Sequence, residues 1–299
     1  MTDSQTSALR AENVTVRYGS RVAVDALSAT VDRGTVYALL GRNGAGKSSL
    51  VRCLLGQQKP AAGTIELLGR DIWRNRKPLM DRIGIVPEEA DAPPDMKVSE
   101  IAAFCARLYS RWDTAALDQR LRRFDIMQSA RFGELSKGQK KQVMLALALA
   151  MSPELLVLDD PTLGLDVVAR KSLFEEVIAE MADRGITVLI TTHDLGGVEM
   201  IADRIAIMRD GRLVLDEEID ALKSRFRRIR YAAAPLLLAN GNLTAASVRA
   251  WGSGTEAVVS NYDEIAFERF RSSAGTAEVS PMSLEEIFIA VAGEGEVRS

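Results

Sequence analysis

A glycine-rich stretch, GRNGAGKS at residues 41–48, has the residue types and spacing needed to hold a phosphate group. It fits the pattern G-x-x-x-x-G-K-S/T, with an apolar strand-like run before it and an apolar helical pattern after it. Glycines let the backbone turn its N–H groups towards an anion, and the start of a helix favours negative charge. Lys47 adds a charge for the β- and γ-phosphates, and the Ser48 hydroxyl can ligate Mg²⁺. The alternative, a glycine-rich turn that binds nothing, is disfavoured by the flanking patterns. The predicted nucleotide-binding residues of this stretch are Gly41, Asn43, Gly44, Ala45, Gly46, Lys47, Ser48 and Ser49.

Two adjacent aspartates end the apolar run LLVLDD at residues 155–160. In open α/β sheets, ligands bind at the carboxyl edge of the strands, which is where Asp159 is expected. A carboxylate at that edge can hold the Mg²⁺ that Ser48 also contacts. Asp160 follows at the place where a group that polarises an attacking water is needed. The pair therefore predicts metal binding and hydrolysis, and an ordinary surface aspartate at a strand end is the alternative.

A second candidate phosphate-binding stretch, LSKGQ at residues 135–139, precedes the helical run VMLALALAM. Ser136 is expected to start that helix, where its hydroxyl and the free N–H groups can meet an anion. Ser-x-Gly is common in turns, so this stretch is informative only because the chain also has the glycine-rich loop and the paired aspartates.

The elements that must position these residues alternate between strand-like and helical patterns, which predicts βαβ units and a mostly parallel buried sheet. Residues 97–150 have a helical pattern throughout and predict a helical insertion between two strands. RIAIMRDGRLVLD at 204–216 predicts a hairpin, because Asp210–Gly211 suits a tight turn. The predicted strands are TVYALL (35–40), IGIVP (83–87), ELLVLDD (154–160) and ITVLITTHD (186–194), with helices at 47–56 and 167–185.

The composition is that of an ordinary globular chain: 299 residues, 47% apolar residues and a net charge of −3. This charge provides no basic field to recruit nucleic acid, so no nucleic-acid partner is expected. The two cysteines, Cys53 and Cys105, lie in helical apolar patterns and are interpreted as reduced core thiols. The longest apolar run, at 143–151, is too short to cross a bilayer, so we expect a soluble protein.

Taken together, these stretches resemble the ATP-binding cassette (ABC) ATPases over about residues 10–218. GRNGAGKS is similar to the Walker A motif, LSKGQ to the signature, LLVLDD to Walker B and LGLD at 163–166 to the D-loop. The resemblance implies an α/β P-loop NTPase cassette: a mostly parallel sheet with flanking helices, an antiparallel β subdomain and a helical insertion. The cassette would span residues 8–218, with the helical subdomain at about 97–150. A small C-terminal α/β appendage would span residues 219–299.

The resemblance also implies ATP and Mg²⁺ as cofactors and a head-to-tail pair of cassettes, either two copies or two different chains. Each ATP would lie between the Walker A motif of one cassette and the signature of the other. Tyr18 falls where the family stacks an aromatic ring on adenine, and an ordinary strand tyrosine is the less favoured alternative. His193 resembles the switch histidine that senses the γ-phosphate. The residues implied to contact the partner cassette's nucleotide are Ser136, Gly138, Gln139 and Asp166.

Three positions depart from the family's usual residues. Asp160 replaces the usual glutamate base, Glu88 replaces the usual Q-loop glutamine that touches Mg²⁺ and the attacking water, and Lys137 replaces a signature glycine. Misplacing a catalytic group by about 1 Å can cost on the order of a hundredfold in rate. The departures leave open a nucleotide-binding switch, or an asymmetric-dimer cassette with weak hydrolysis. The favoured alternative is an active ATPase in which Asp160, His193 and Glu88 are catalytic, and Glu88 is also a candidate Mg²⁺ ligand beside Ser48 and Asp159.

The favoured function is the ATPase subunit of a transporter whose permease is a separate membrane-spanning polypeptide, with residues 88–112 forming the cleft that receives it. We expect it in the cytoplasm, peripheral on the inner face of the cell membrane. The tail SLEEIFIAVAGE at 283–294 resembles that of the bacterial ABC-2 group, which are mostly exporters, and its alternative is a packing helix. A soluble ABC protein acting on DNA or ribosomes is less favoured, because such proteins usually need more chain. The basic run Arg225, Arg227, Arg228 and Arg230 is interpreted as a solvated linker, with contact to anionic lipid headgroups as the alternative.

Overall fold

The computed structural model of the chain describes residues 7–232, 238 and 242–293. The chain divides into two compact units, residues 1–213 and 214–299. The sequence predicted a boundary between residues 218 and 219. Of the predicted appendage, residues 233–237, 239–241 and 294–299 lie outside the described part of the chain.

A six-stranded sheet forms the centre of the first unit, with strand order β10-β9-β3-β8-β7-β6. The neighbours from β9 to β6 pair in parallel, as the alternating pattern predicted. Every residue of β3 and β8 is buried, which is typical of a parallel sheet covered on both faces. The strands are β3 (Val36–Gly41), β6 (Ile83–Val86), β7 (Leu155–Asp159), β8 (Thr187–Thr192), β9 (Arg204–Arg209) and β10 (Arg212–Glu218).

The hairpin predicted from Asp210–Gly211 joins β9 to β10, and both residues have positive φ, 50° and 80°. A second sheet, of order β2-β1-β4-β5, is antiparallel and matches the expected antiparallel subdomain. Its strands are β1 (Ser7–Tyr18), β2 (Arg21–Asp32), β4 (Ala62–Leu67) and β5 (Arg70–Asp71).

The helical insertion lies between β6 and β7, as predicted, and no strand interrupts it. The predicted helices after the glycine-rich loop and after the LGLD stretch are also present, and the second ends at Gly185 with φ 61°. The helices are α1 (Lys47–Leu54), α2 (Arg76–Met80), α3 (Val98–Leu108), α4 (Thr114–Arg123), α5 (Lys137–Ala150), α6 (Val167–Arg184) and α7 (Leu195–Glu199).

The two cysteines are both free thiols, but only Cys53 lies in the core. The prediction was wrong for Cys105, which is half-buried, because α3 buries only Val98 and Ile101 and turns the rest of its surface outwards. Burial raises the pKa of Cys53 to about 11.

The second unit contains an antiparallel sheet of order β12-β13-β11-β14. Its core includes Ile229, Tyr231 and Phe270, and the Tyr231 and Phe270 rings meet edge to face at 5.0 Å. The elements are α8 (Ile219–Arg225), β11 (Arg227–Tyr231), β12 (Ala245–Trp251), β13 (Gly254–Val259), α9 (Glu264–Ala274), β14 (Ala277–Ser280) and α10 (Leu284–Ala292).

The arginine run is not a solvated linker, and that interpretation was wrong. It covers the end of α8 and most of β11, where Ile229 between the arginines is fully buried. The guanidinium groups pair with acids of the same unit: Arg225 with Glu217, Arg228 with Glu286, and Arg230 with Glu256 at 2.8 Å. Alternation of basic and apolar residues is a strand pattern, and these ion pairs keep the basic face partly buried.

Candidate nucleotide-binding site

A cavity of about 360 Å³ lies at the carboxyl ends of β3 and β7 in the first unit. It brings together residues that are far apart in sequence, because neighbouring parallel strands end at the same edge of a sheet. Most of the predicted nucleotide-binding residues lie on its wall. The lining residues are Tyr18, Arg21, Ala23, Asn43, Gly44, Ala45, Gly46, Lys47, Ser48, Ser49, Glu88, Asp159 and Asp160.

The glycine-rich loop between β3 and α1 depends on the missing side chain of Gly46. This residue has φ 108°, and a Cβ atom here would lie 2.3 Å from the carbonyl oxygen of Ala23. Only glycine adopts this conformation at such close range. Gly46 directly precedes α1, so the loop ends with the free N–H groups of a helix start facing the cavity region.

Lys47 is a buried lysine whose ammonium group donates a hydrogen bond to the carbonyl oxygen of Gly41, at 2.7 Å. Burial lowers the pKa of Lys47, and the carboxylates of Asp160, Asp159 and Glu88 oppose this shift. A cation held by the loop's own backbone is already in place for an anion that enters the cavity.

Asp159 ends β7 and is fixed by the neighbouring strand. It pairs in register with Thr191 of β8, whose hydroxyl donates a hydrogen bond to the Asp159 carboxylate at 2.5 Å. Ser48, Asp159 and Glu88 line the same cavity, and such oxygen ligands suit Mg²⁺. Among the described residues no cluster of three or more His, Cys, Asp or Glu side chains could hold a metal alone. Mg²⁺ commonly takes one or two carboxylates plus phosphate and water oxygens, and these residues fit that arrangement.

Asp160 contacts His193, the other residue predicted to be catalytic. The Nδ1 atom of His193 lies 2.9 Å from the Asp160 carboxylate, and the Thr192 hydroxyl donates to that carboxylate at 3.3 Å. Asp160 has φ 45°, in the left-handed region that aspartate tolerates better than most residues. His193 is exposed and is absent from the cavity lining. The Asp160 carboxylate therefore lies between the cavity and the histidine.

Tyr18 also lines the cavity and contacts Ser49 of α1 and Gln58, which follows that helix. Its hydroxyl donates to the side chain of Gln58 at 2.6 Å and lies 3.4 Å from the Ser49 hydroxyl. The side chain is 43% exposed, so its ring can be reached by a flat ligand.

Comparison with known proteins identifies the family. The sequence model of the family described as "ABC transporter" matches residues 24–163. The chain is 33% identical over 222 residues to the bacitracin transport ATP-binding protein BcrA of Bacillus licheniformis, covering 74% of this chain and 72% of BcrA. It is 39% identical over 215 residues to the Nod factor export ATP-binding protein I of Burkholderia lata, covering 70% of each chain.

The chain belongs to the ABC transporter family. A solved structure of the ATP-binding subunit of an ABC transporter superposes with a TM-score of 0.67 at 27% identity, covering 73% of this chain and 92% of the other. The α/β cassette fold and the resemblance to the ABC-2 group are therefore confirmed, and the chain is an ATP-binding protein with ATPase activity coupled to transport. Within residues 7–232, 238 and 242–293, no helix has the length and apolar character needed to cross a membrane.

The residues that the sequence predicts to contact a partner cassette's nucleotide lie at the starts of α5 and α6, and none of them lines the cavity. The Ser136 N–H group donates a hydrogen bond to the side-chain oxygen of Gln139 at 3.0 Å, and the Gln139 N–H group donates one to the Ser136 hydroxyl at 3.2 Å. Asp166 begins α6 by accepting from the Ala169 N–H group at 2.8 Å. A Cβ atom on Gly138 would lie 3.5 Å from that of Ala169, so the two helix starts are side by side.

Four residues at or beside the cavity were missed by the sequence reasoning. Arg21 and Ala23 line it, Thr191 fixes Asp159, and Lys141 is buried behind Asp160. Thr191 could have been found, because it lies near the end of the predicted strand at 186–194, two residues before His193. No sequence pattern marks Lys141, because it is one of several lysines at the start of α5. Only the packing of α5 shows which of them is buried.

Proposed function

We propose that this protein is the ATP-hydrolysing subunit of an ABC exporter, working with a separate permease and a second cassette. The observation that carries the proposal is the cavity, in which Lys47, Ser48 and Asp159 meet Asp160, and Asp160 in turn contacts His193. The export direction is supported by the relatives, one named for bacitracin transport and one for Nod factor export.

In this proposal the glycine-rich loop and Lys47 bind the phosphates of ATP, and Tyr18 stacks on the adenine. Ser48 and Asp159 hold Mg²⁺, with Glu88 as a further ligand. Bound Mg²⁺ supplies positive charge to the phosphate oxygens that become more negative during hydrolysis. Asp160 accepts a proton from the attacking water, and His193 orients Asp160 through the 2.9 Å contact.

A second cassette completes the site. Ser136, Gly138, Gln139 and Asp166 are absent from the cavity lining, so they can contact a nucleotide only when another cassette brings one to the starts of α5 and α6. We infer a head-to-tail pair, formed by two copies of this chain or by this chain and a different cassette.

The permease is proposed to dock on the helical insertion. Within the predicted cleft at 88–112, Phe104 and Leu108 of α3 are 59% and 60% exposed, and large apolar side chains at such exposure favour a protein contact. With a permease docked there, the proposed location of the protein is the cytoplasm, on the inner face of the cell membrane.

ATP turnover tests the proposal. We would measure Mg²⁺-dependent phosphate release by the purified protein, alone and with membranes that hold its permease, with Lys47→Ala as the inactive control. Turnover that requires Mg²⁺, vanishes in Lys47→Ala and rises with the permease is expected. A wild type that binds ATP and stays silent with the permease, while Asp160→Glu turns over, would replace the proposal by the nucleotide-binding switch.

A further inference from the structure

Lys141 is a buried lysine for which the proposed mechanism has no role. Its side chain is 4% exposed, and it leaves α5 towards the back of the cavity. The ammonium group donates a hydrogen bond to the carbonyl oxygen of Pro87 at 2.7 Å and lies 3.4 Å from the carbonyl oxygen of Asp160. Burying an ammonium group is costly unless it is paired and hydrogen-bonded, so this placement needs a compensating environment.

The environment of Lys141 is acidic. The carboxylates that act on its ammonium group are, in order of strength, those of Asp160, Glu88, Asp159 and Glu89. Three of these also act on Lys47. The two buried lysines therefore experience the same group of carboxylates, those of Asp160, Glu88 and Asp159.

The two carbonyl groups that Lys141 contacts belong to loops that no strand pairing joins. Pairing of β6 with β7 runs from Ile83–Leu155 to Val86–Leu158 and stops there. Pro87 follows β6 and directly precedes Glu88, and Asp160 follows β7. The Asp160 carbonyl also accepts from the Leu163 N–H group at 3.2 Å, a contact within its own loop. Lys141 thus connects the two loops just beyond the point where the backbone pairing ends.

We propose that Lys141 is a positioning residue for ATP hydrolysis, clamping the Pro87 and Asp160 backbones so that Glu88 and Asp160 face one point of the cavity. The inference rests on the proposed function of the site. Lys141 touches neither nucleotide nor water, and it acts through the two loops it holds. Its loss should impair the chemical step and leave ATP binding by Lys47 and the glycine-rich loop in place.

The test compares Lys141→Met, which keeps the length of the side chain and removes both the donor and the charge, with Lys141→Arg, which keeps both. Lys140→Met is the matched control on the same helix, because the Lys140 ammonium lies over the Phe132 ring, 5.6 Å from its centroid. For Lys141→Met we expect kcat to fall about tenfold to a hundredfold with KM for ATP changed less than about threefold, since misplacement near 1 Å costs on that order. Lys141→Arg should recover most of kcat, and Lys140→Met should match wild type.

A kcat for Lys141→Met within about twofold of wild type overturns the proposal, as does a loss that falls on KM alone. If Lys141→Met does not fold, Lys141→Gln replaces it in the test. The glutamine side chain is too short to reach both carbonyl oxygens, so the same results are expected. Hydrogen exchange of the nucleotide-free protein separates this inference from the proposed function, because it needs no turnover. Exchange at residues 88–90 and 160–163 should become faster in the Met or Gln variant while 47–54 stays unchanged, and unchanged exchange in both loops refutes the clamp.

Discussion

Replacing Asp160 by asparagine tests the chemistry of the site with little disturbance of the fold. The backbone of Asp160 has φ 45°, and asparagine and aspartate are the non-glycine residues that tolerate this region best. The amide oxygen of asparagine can still accept from the Thr192 hydroxyl, which lies 3.3 Å from one carboxylate oxygen of Asp160, and the amide NH2 group can donate to an unprotonated Nδ1 of His193, which lies 2.9 Å from the other. The free energy of unfolding should therefore change by less than about 0.5 kcal/mol.

The expected loss of rate follows from what asparagine lacks, which is a basic oxygen. Positioned general bases contribute about 10²–10⁴-fold, which is about 2.7–5.4 kcal/mol at 1.36 kcal/mol per tenfold. Since the contacts to Thr192 and His193 survive, we assign the loss to the base itself and expect kcat to fall at least about a hundredfold. KM for ATP should change little, because Asp160 is not a phosphate ligand in the proposed mechanism.

Steady-state phosphate release gives kcat and KM, and equilibrium binding of ATP shows that the variant is intact. Asp160→Glu is the companion variant: it moves the carboxylate by about one C–C bond, roughly 1.5 Å, and puts a less tolerant residue at positive φ. If Asp160→Asn keeps kcat within about threefold of wild type, Asp160 is not the base and Glu88 becomes the next candidate. A wild type that hydrolyses ATP, together with an Asp160→Asn variant that does not, supports Asp160 as the general base.

Three further predictions follow from single contacts. Gly46→Ala should lower the free energy of unfolding by about 2 kcal/mol or more and abolish ATP binding, because its Cβ would lie 2.3 Å from a backbone oxygen at φ 108°. Thermal unfolding and an ATP-binding assay check this. Gly196→Ala is the tolerated control, because a Cβ atom there would meet nothing within 4 Å. His193→Ala should lower kcat about tenfold or more while ATP still binds, because only the contact to Asp160 is lost; an unchanged kcat would remove His193 from the mechanism. Cys53 should resist alkylation at pH 8 until the protein unfolds, because its pKa of about 11 keeps the thiol protonated, and mass spectrometry at increasing urea measures the labelling. Raising the pH from 9 towards 11 should also lower the free energy of unfolding, because the thiol ionises at lower pH in the unfolded protein than in the folded one.

Much of the site was predictable because its residues lie at pattern boundaries. The strand-like runs before Gly41, Asp159 and His193 end where polar residues begin, and in a parallel sheet those ends meet at one edge. The glycine-rich loop needs its positive φ angles locally, so the sequence specifies it without help from the rest of the fold. These features depend on short stretches and on one rule of sheet topology.

What the sequence could not show depends on packing between distant segments. The left-handed backbone of Asp160 is set by its bonds to Thr191, and its contact with His193 spans 33 positions. The arginines of the second unit were misinterpreted because their acidic partners are brought together only by the strand register and by α10. Composition gives the charges of such groups, and only the fold gives their neighbours.

The charges of the cavity also indicate how its binding steps are linked. Lys47 and Lys141 are buried cations, and burial lowers the pKa of both while the carboxylates of Asp160, Asp159 and Glu88 oppose that shift. An incoming polyphosphate would therefore meet these carboxylates as well as Lys47, and a bound divalent cation would supply positive charge that offsets their repulsion. Glu88 in place of a neutral glutamine adds to the negative charge on the wall. We therefore expect ATP and Mg²⁺ to enter this site together, and in the proposed mechanism Asp160 would then remain available to act on water.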